Sequence, residues 1–286
     1  MRGREVIELL EAEGSLFDWW EGIPAANWTT LPGMPPLIER YLSMQQELAS
    51  TRSLLRARQT KYNFAHFIGT SAASLEVKRR ARRSASAESP VLLQGETGTG
   101  KELLAQAIHA ASPRAHKPFV SINSAAIPEA LLEAEFFGTA PGAFTGADRK
   151  GRAGKLQIAQ GGTLFLDEIG DMPAELQTRL LRVLSDGNYY RVGGHQSIKS
   201  NVRVIAATHQ NLEDRVQQGL FREDLFHRLN VIRLRLPSLR ERKEDIPLLA
   251  RHFMQTSAKS LSMDPKRLSD DALLAISQLP FPGNVR

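Results

Sequence analysis

The sequence contains no cysteine, which excludes disulfides and thiolate metal sites. No apolar run approaches the roughly 18 residues that a membrane-spanning helix needs. The opening stretch MRGREVIELLEAEG places acids where a signal peptide has its apolar core, so no secretion signal is expected. Together these absences fit a reducing cytoplasm. A strong charge of one sign is also missing. Lys and Arg total 37 against 31 Asp and Glu, a net +6. That excess is compatible with nucleotide or nucleic-acid partners and selects neither. The densest basic run, KRRARR (Lys78–Arg83), falls in a helical stretch and reads as a solvated face rather than a groove reader.

What is present suffices for one large domain or two modest ones, each with its own core, in 286 residues. Residues 1–35 carry all three tryptophans, two of them adjacent at Trp19 and Trp20. This segment is too short for a complete sensory domain and reads as a remnant of one or a docking segment. Residues 36–58 read as one helix, with Tyr41, Met44, Leu48, Thr51 and Leu55 recurring at spacings of three and four. A short coiled coil and an amphipathic helix packed on the body are both open. The linker is assigned to 36–61, an ATPase core to 62–237 and a partial helical lid to 238–286.

From Tyr62 onward the pattern changes. Short apolar runs occur at 91–94, 119–123, 163–167, 202–208 and 231–237, with helical patterns between them. Leu104, Ala107, Ile108 and Ala111 share one helix face, and Leu176, Leu180 and Leu184 share another. β-rich runs alternating with amphipathic helices predict a parallel sheet covered on both sides. After Pro237 the pattern is helical only, as in EDIPLLARHFMQTSAKSL and SDDALLAISQL.

VLLQGETGTGKE joins the first run to the first helix. Gly95, Gly98 and Gly100 let backbone amides wrap phosphate oxygens, and Lys101 can reach the β- and γ-phosphates. The G-x-x-x-x-G-K spacing in a strand–loop–helix context is specific. Glu102 takes the place of the usual Ser or Thr, so either a Mg²⁺ ion depends more on other ligands or Glu102 acts on it through water. In GGTLFLDEIG, Asp167 ends a buried strand, where it can hold Mg²⁺, and Glu168 follows, placed to polarise an attacking water. The pair lies 66 residues after Lys101 with one strand between, which implies a strand inserted between the two phosphate-site strands. Asn123 ends that strand. Two readings of it are open: it hydrogen-bonds Glu168 and holds it back, or it caps the next helix.

GETGTGKE, GAFTGA, GGTLFLDEIG, RVGG and FREDLFHRLN, in this order, resemble the central AAA+ ATPase domain of sigma-54-dependent transcriptional activators, the bacterial enhancer-binding proteins. The resemblance covers about residues 64–286, and the GAFTGA hexapeptide is its most specific element. It implies an α/β P-loop fold of the AAA+ type, with a five-stranded parallel sheet between helices and a truncated α-helical lid. It implies ATP and Mg²⁺, a homohexameric ring, and sigma-54 RNA polymerase holoenzyme as partner. Gly142, Ala143, Phe144, Thr145, Gly146 and Ala147 would tip the loop that touches sigma-54, with Phe144 and Thr145 as the contact pair. Arg191–Gly194 would support that loop. Nucleotide contacts would come from Ile68, Gly95, Glu96, Thr97, Gly98, Thr99, Gly100, Lys101, Glu102, Thr208 in the sensor I region and Arg286 in sensor II. Arg222 and Arg228 match the family's arginine fingers, supplied to a neighbouring subunit.

The sequence departs from the family in places. Thr139 and Ala140 stand where relatives commonly carry His and Glu, which bears on how the loop couples to nucleotide. His209 stands where many relatives have Asn. The family's helix-turn-helix domain does not follow, so DNA contact is expected only through a part beyond this sequence. A weakly hydrolysing regulatory fragment and an AAA+ chaperone or unfoldase are the alternative functions.

Overall fold

The computed structural model describes residues 60–143, 151–264 and 266–286. The N-terminal segment 1–35, the helix expected over 36–58 and residues Phe144–Ala147 of the hexapeptide lie outside the described residues. In chain order the elements begin with α1 (Ala72–Ala85), β1 (Val91–Gln94), α2 (Lys101–Ala110), β2 (Phe119–Asn123) and α3 (Glu129–Phe137). Next come β3 (Gly138–Thr139), β4 (Arg152–Ala153), α4 (Lys155–Ile158), β5 (Thr163–Asp167) and α5 (Ala174–Asp186). The remainder are β6 (Asn188–Tyr190), β7 (Ser197–Lys199), β8 (Arg203–Thr208), α6 (Leu212–Gln217), α7 (Glu223–Leu229), β9 (Ile232–Arg235), α8 (Ile246–Ser260) and α9 (Asp270–Ser277).

The five apolar runs form one sheet in the order β2-β5-β8-β1-β9, every neighbour parallel. Side chains alternate across it with period two. Leu92, Leu164, Leu166, Val204 and Ala206 pack in one core with Phe136, Leu176, Leu180 and Phe226. Val91, Leu93, Phe165, Ile205 and Ala207 pack in another with Val77, Ala81, Leu104 and Ile108. Burial on both faces is why the central strands β1, β5 and β8 read as apolar runs, while the edge strands β2 and β9 expose Ser121, Arg233 and Arg235. The strand that separates β1 from β5 is β8, whereas Phe119–Asn123, the inserted strand of the sequence reading, lies at the sheet edge. Chain order put β2 between the two phosphate-site strands, and crossover connections moved it outside them.

Helix α2 is buried nearly all round, from Leu104 to His109, because it lies against both the sheet and α1. Helix α5 buries Leu176, Leu180 and Val183 and leaves Leu184 half-buried. The basic run on α1 is mostly exposed, as expected for a solvated face, and three of its side chains are also tied to neighbours. Lys78 Nζ donates to the Gly69 carbonyl at 2.8 Å, Arg80 donates to the Arg233 carbonyl at 2.7 Å, and Arg82 covers the Phe64 ring. Buried Arg203 donates to the carbonyls of Ser84 and Ala85 and so satisfies the end of α1.

Two small antiparallel pairs, β3–β4 and β6–β7, stand outside the main sheet. The Ala140 N–H donates to the Val192 carbonyl, and the Val192 N–H donates to the Gly138 carbonyl, both at 2.9 Å. Gly193, at φ 69°, lies so close to Ala143 that a Cβ on it would come within 2.7 Å of the alanine Cβ. The RVGG turn is thus joined by backbone to the base of the hexapeptide loop.

The tail is helical, as its pattern predicts. Ser238 and Glu241 form a capping box where it leaves β9. Asp245, fully buried, then reaches back to α1. Its carboxylate accepts from the N–H groups of Thr70 and Ser71 and from the hydroxyls of Ser71 and Ser74, all between 2.6 and 2.7 Å. Burial pushes this carboxyl up, but these hydrogen bonds outweigh it and hold it below the usual aspartate range.

Two outcomes are expected. Asp245→Ala leaves four donors without an acceptor and destabilises the fold by about 3 kcal/mol, read from urea unfolding; a cost under about 1 kcal/mol would show that the carboxylate does not tie the tail to α1. His109 is buried, with Nδ1 2.8 Å from Thr163 Oγ1, and burial pushes its pKa down to about 4. The unfolded chain, titrating near 6.5, binds the extra proton first. Stability from this residue is therefore intact above about pH 6.5 and falls by about 3 kcal/mol as pH drops to 4, a slope that His109→Leu should flatten.

Candidate nucleotide-binding site

The C-terminal ends of the parallel strands converge. Register sets Gln94 beside Thr208 and Asn123 beside Asp167. The loop after β1, the Asp167–Glu168 pair after β5 and the Thr208–His209 turn after β8 therefore emerge on one edge, where open α/β sheets bind ligands.

The glycine loop turns through left-handed conformations at Gly98 (φ 81°) and Gly100 (φ 102°), and α2 starts at Lys101 directly after it. Its free N–H groups and helix start form an anion cradle. The Lys101 side chain is only 6% exposed. Its ammonium donates to the Gly95 carbonyl at 2.9 Å and lies 3.7 Å from Glu168 Oε1. Burial, and then the charge of Glu168, push the Asp167 carboxyl above its usual range, with Lys101 acting against them. A divalent cation would supply the positive charge that this carboxylate lacks. Among the described residues no cluster of three or more His, Cys, Asp or Glu could hold a metal alone. That fits Mg²⁺, which takes few protein carboxylates and fills its octahedron with phosphate and water.

A cavity of about 630 Å³ opens here, of nucleotide size. Its lining is of two kinds. Thr97–Glu102, Asn123, Asp167, Glu168, Arg242 and Arg286 are polar or charged, and Tyr62, Phe67, Ile68, Leu103, Leu249 and Phe253 are apolar or aromatic. Such a lining suits a ligand with a polyanionic part and a flat hydrophobic part.

The expected residues do not all meet in this cavity. Ile68, Thr97, Gly98, Thr99, Gly100, Lys101, Glu102, Asn123, Asp167, Glu168 and Arg286 line it. Gly95 and Glu96 face a separate hollow with His209, Arg233 and Arg235. Thr208 is fully buried and its hydroxyl accepts from the Gln210 N–H, so it is spent on the turn. Arg222 and Arg228 lie outside the lining and are exposed. Arg222 caps α7 and pairs with Asp224 through Nε and Nη2, while Arg228 donates to the Leu184 carbonyl. Gly142 and Ala143 sit at the loop base, away from this cavity.

Asn123 corrects one reading. Its amide nitrogen donates to Asp167 Oδ2 at 3.0 Å and its Oδ1 accepts from the Ala125 N–H, so it does not reach Glu168. The strand register places Asn123 opposite Asp167, one residue short. The hydrogen-bond partner of Glu168 is His209, which the resemblance places with Thr208 in the sensor I region near the γ-phosphate.

Other members were also missed. Arg242 is buried, donates to the Thr99 carbonyl at 3.2 Å and covers the Phe67 ring at 5.3 Å. The last residues clasp the phosphate loop. Asn284 donates to Glu96 Oε2 and to the Thr97 carbonyl, and accepts from the Leu239 N–H. Arg240 pairs with Glu96, and the Val285 N–H donates to the Gly98 carbonyl. The Glu96 carboxyl is held below its usual range by Arg240 and then Asn284. The sequence signals for these contacts were the charge density of LRERKED, which has no helical periodicity to give it direction, and FPGNVR, which was read for Arg286 alone.

Comparison with known proteins bears on all of this. The sequence profile described as the Sigma-54 interaction domain matches residues 67–235, and that of an AAA+ ATPase lid domain matches 240–286. The chain belongs to the sigma-54 interaction domain family. Its fold is the AAA+ P-loop fold. Among relatives, the DNA-binding transcriptional regulator NtrC of Escherichia coli K12 is 54% identical over 250 residues, which are 87% of this chain and 52% of NtrC. NtrC of Rhizobium meliloti is 52% identical over 219 residues, 77% of this chain and 45% of that protein. The chain spans about half the length of the curated relatives it matches. NtrX from Brucella abortus, solved in complex with ATP, superposes with a TM-score of 0.72 at 38% identity, covering 92% of this chain and 54% of NtrX. Within this family fold, the clasp on the phosphate loop generates a prediction. A Cβ at Gly98 would overlap the Gly283 carbonyl oxygen. Gly98→Ala is expected to weaken binding of a fluorescent ATP analogue at least about ten-fold, roughly 1.4 kcal/mol; unchanged affinity would show that the clasp does not shape the loop.

Proposed function

We propose that the chain is the ATP-hydrolysing module of a sigma-54-dependent transcriptional activator, acting in the cytoplasm. The observation that carries this reading is the meeting of Lys101, Asp167 and Glu168 at one cavity whose lining also suits a nucleotide base. Residues 62–237 would be the ATPase core and 238–286 its lid.

The loop amides and Lys101 bind and orient the phosphates. Mg²⁺, held by Asp167 with phosphate oxygens and water, would neutralise charge on the β- and γ-phosphates. Glu168 orients a water in line with the γ-phosphorus and takes up its proton. The bond to the β–γ bridging oxygen breaks, giving ADP and phosphate. Arg222 and Arg228, exposed and absent from their own cavity, are available to a neighbour in a hexameric ring. Each would stabilise charge on the transferring phosphoryl group, a contribution on the order of 10³–10⁵ in rate in well-characterised NTPases. Ala140, Ala143, Val192 and Gly193 carry motion into the hexapeptide, whose Phe144 and Thr145 would press on sigma-54. No DNA-reading role is assigned to the KRRARR run, since three of its side chains are tied to neighbours on the protein itself.

The test is ATP turnover measured against protein concentration. Specific activity should rise as subunits associate, and should fall at least about 100-fold in Glu168→Ala and in Arg228→Ala. A flat, near-zero rate with ATP binding retained would overturn hydrolysis in favour of a nucleotide-binding regulator. Stable capture of sigma-54 with an ATP transition-state analogue, lost in Thr145→Ala, separates the activator from an unfoldase.

A further inference from the structure

The Asp167–Glu168 turn is docked tightly to the turn that follows β8. Glu168 adopts a left-handed backbone conformation, φ 50° and ψ 51°, unusual for a side chain with a Cβ. Such strain persists only where surrounding contacts fix it. Gln210 supplies some of these contacts. Its Nε2 donates to Asp171 Oδ1 at 2.6 Å, and its N–H donates to Thr208 Oγ1 at 3.0 Å. His209 supplies the rest. Glu168 Oε2 accepts from the His209 N–H at 3.2 Å and from His209 Nδ1 at 2.7 Å. Oε1 of the same carboxylate faces the Lys101 ammonium. A carboxylate oxygen only accepts, so Nδ1 must carry the proton. The Glu168 side chain is 14% exposed and that of His209 is 44% exposed. The carboxylate is therefore enclosed while the imidazole has room to swing away. Asn123, the other amide near the pair, is occupied with Asp167 and the Ala125 N–H.

We propose that the His209 imidazole is the latch that holds Glu168 back from the attacking water, and that it must swing away before hydrolysis. His209 is thus a positioning residue, acting through Glu168. The inference rests on the reading of Glu168 as the residue that activates water. A side-chain latch on a carboxylate blocks turnover without blocking ATP binding. It also fixes the ring tautomer: an unpartnered neutral histidine prefers the proton on Nε2, and a latched one must carry it on Nδ1.

Two measurements on the 286-residue chain test this. The first is the ¹⁵N spectrum of the histidine side chains without nucleotide, the His209 signals being those lost in His209→Ala. The expected result is a protonated Nδ1 that returns to the Nε2–H tautomer in Glu168→Ala. A bare Nδ1 in the parent chain overturns the latch, whether or not the chain hydrolyses ATP. The second is steady-state turnover. His209→Ala should raise basal kcat about three- to ten-fold, with KM and ATP affinity unchanged. His209→Asn, whose amide nitrogen occupies the position of Nδ1, should bring the rate back toward the parent value. A kcat that falls or stays level in His209→Ala, in a parent whose turnover is lost in Glu168→Ala, also overturns the latch. Turnover that survives Glu168→Ala instead sinks the reading of Glu168, and the proposal with it.

Discussion

Parallel pairing of β5, β8 and β1 is the constraint on which the site depends. Because the three strands run the same way and end side by side, one edge of the sheet receives the phosphate loop, the acidic pair and the His209 turn. An antiparallel strand among them would deliver its side chains to the opposite edge. The apolar alternation that buries Leu92 and Leu164 on one face and Leu93 and Phe165 on the other holds this register, since a slip by one residue would turn every side chain to the wrong core. Packing thus does chemical work at a distance: it sets the height at which Asp167 and Glu168 emerge.

The central strands were legible because burial on both faces leaves a mostly apolar run, and three of the five strands coincide residue for residue with their apolar runs. The glycine loop was legible because φ near 100° at Gly100 leaves few alternatives to glycine. Polar contacts across long sequence separations were not. Asp245 binds residues more than 170 positions earlier, and Asn284 binds Thr97. Neither contact has a period, and the motif around Asn284 points to Arg286 rather than to it. Of the two readings open for Asn123, the one that pairs it with Glu168 fails for a simpler reason: its position at a strand end was clear, but which of two adjacent acids it faces depends on a register invisible in the chain order. The bond from His209 to Glu168 was not legible because motif comparison marks His209 only as a departure from the relatives' Asn, while geometry shows what the side chain touches.

The tail has a double attachment. Through Asp245 and Arg242 it holds α1 and the floor of the cavity, and through Glu96, Asn284 and Val285 it holds the phosphate loop. A change in the loop on binding phosphate is therefore felt by the tail at two points, one at each end of its sequence. That gives the lid a lever arm, with α8 and α9 between the fixed points.

The contact between Gly193 and Ala143 carries a consequence for anyone recombining these proteins. The Gly193 backbone packs there directly against the Cβ and Cα of Ala143, with no room for a larger residue at 193. The hexapeptide stem and the RVGG turn are consequently a single inheritable piece. A chimaera that exchanges residues 138–153 alone would graft one half of a mated surface onto a foreign counterpart. The natural crossover points lie outside both, before Gly138 and after Lys199, so that the two loops travel together.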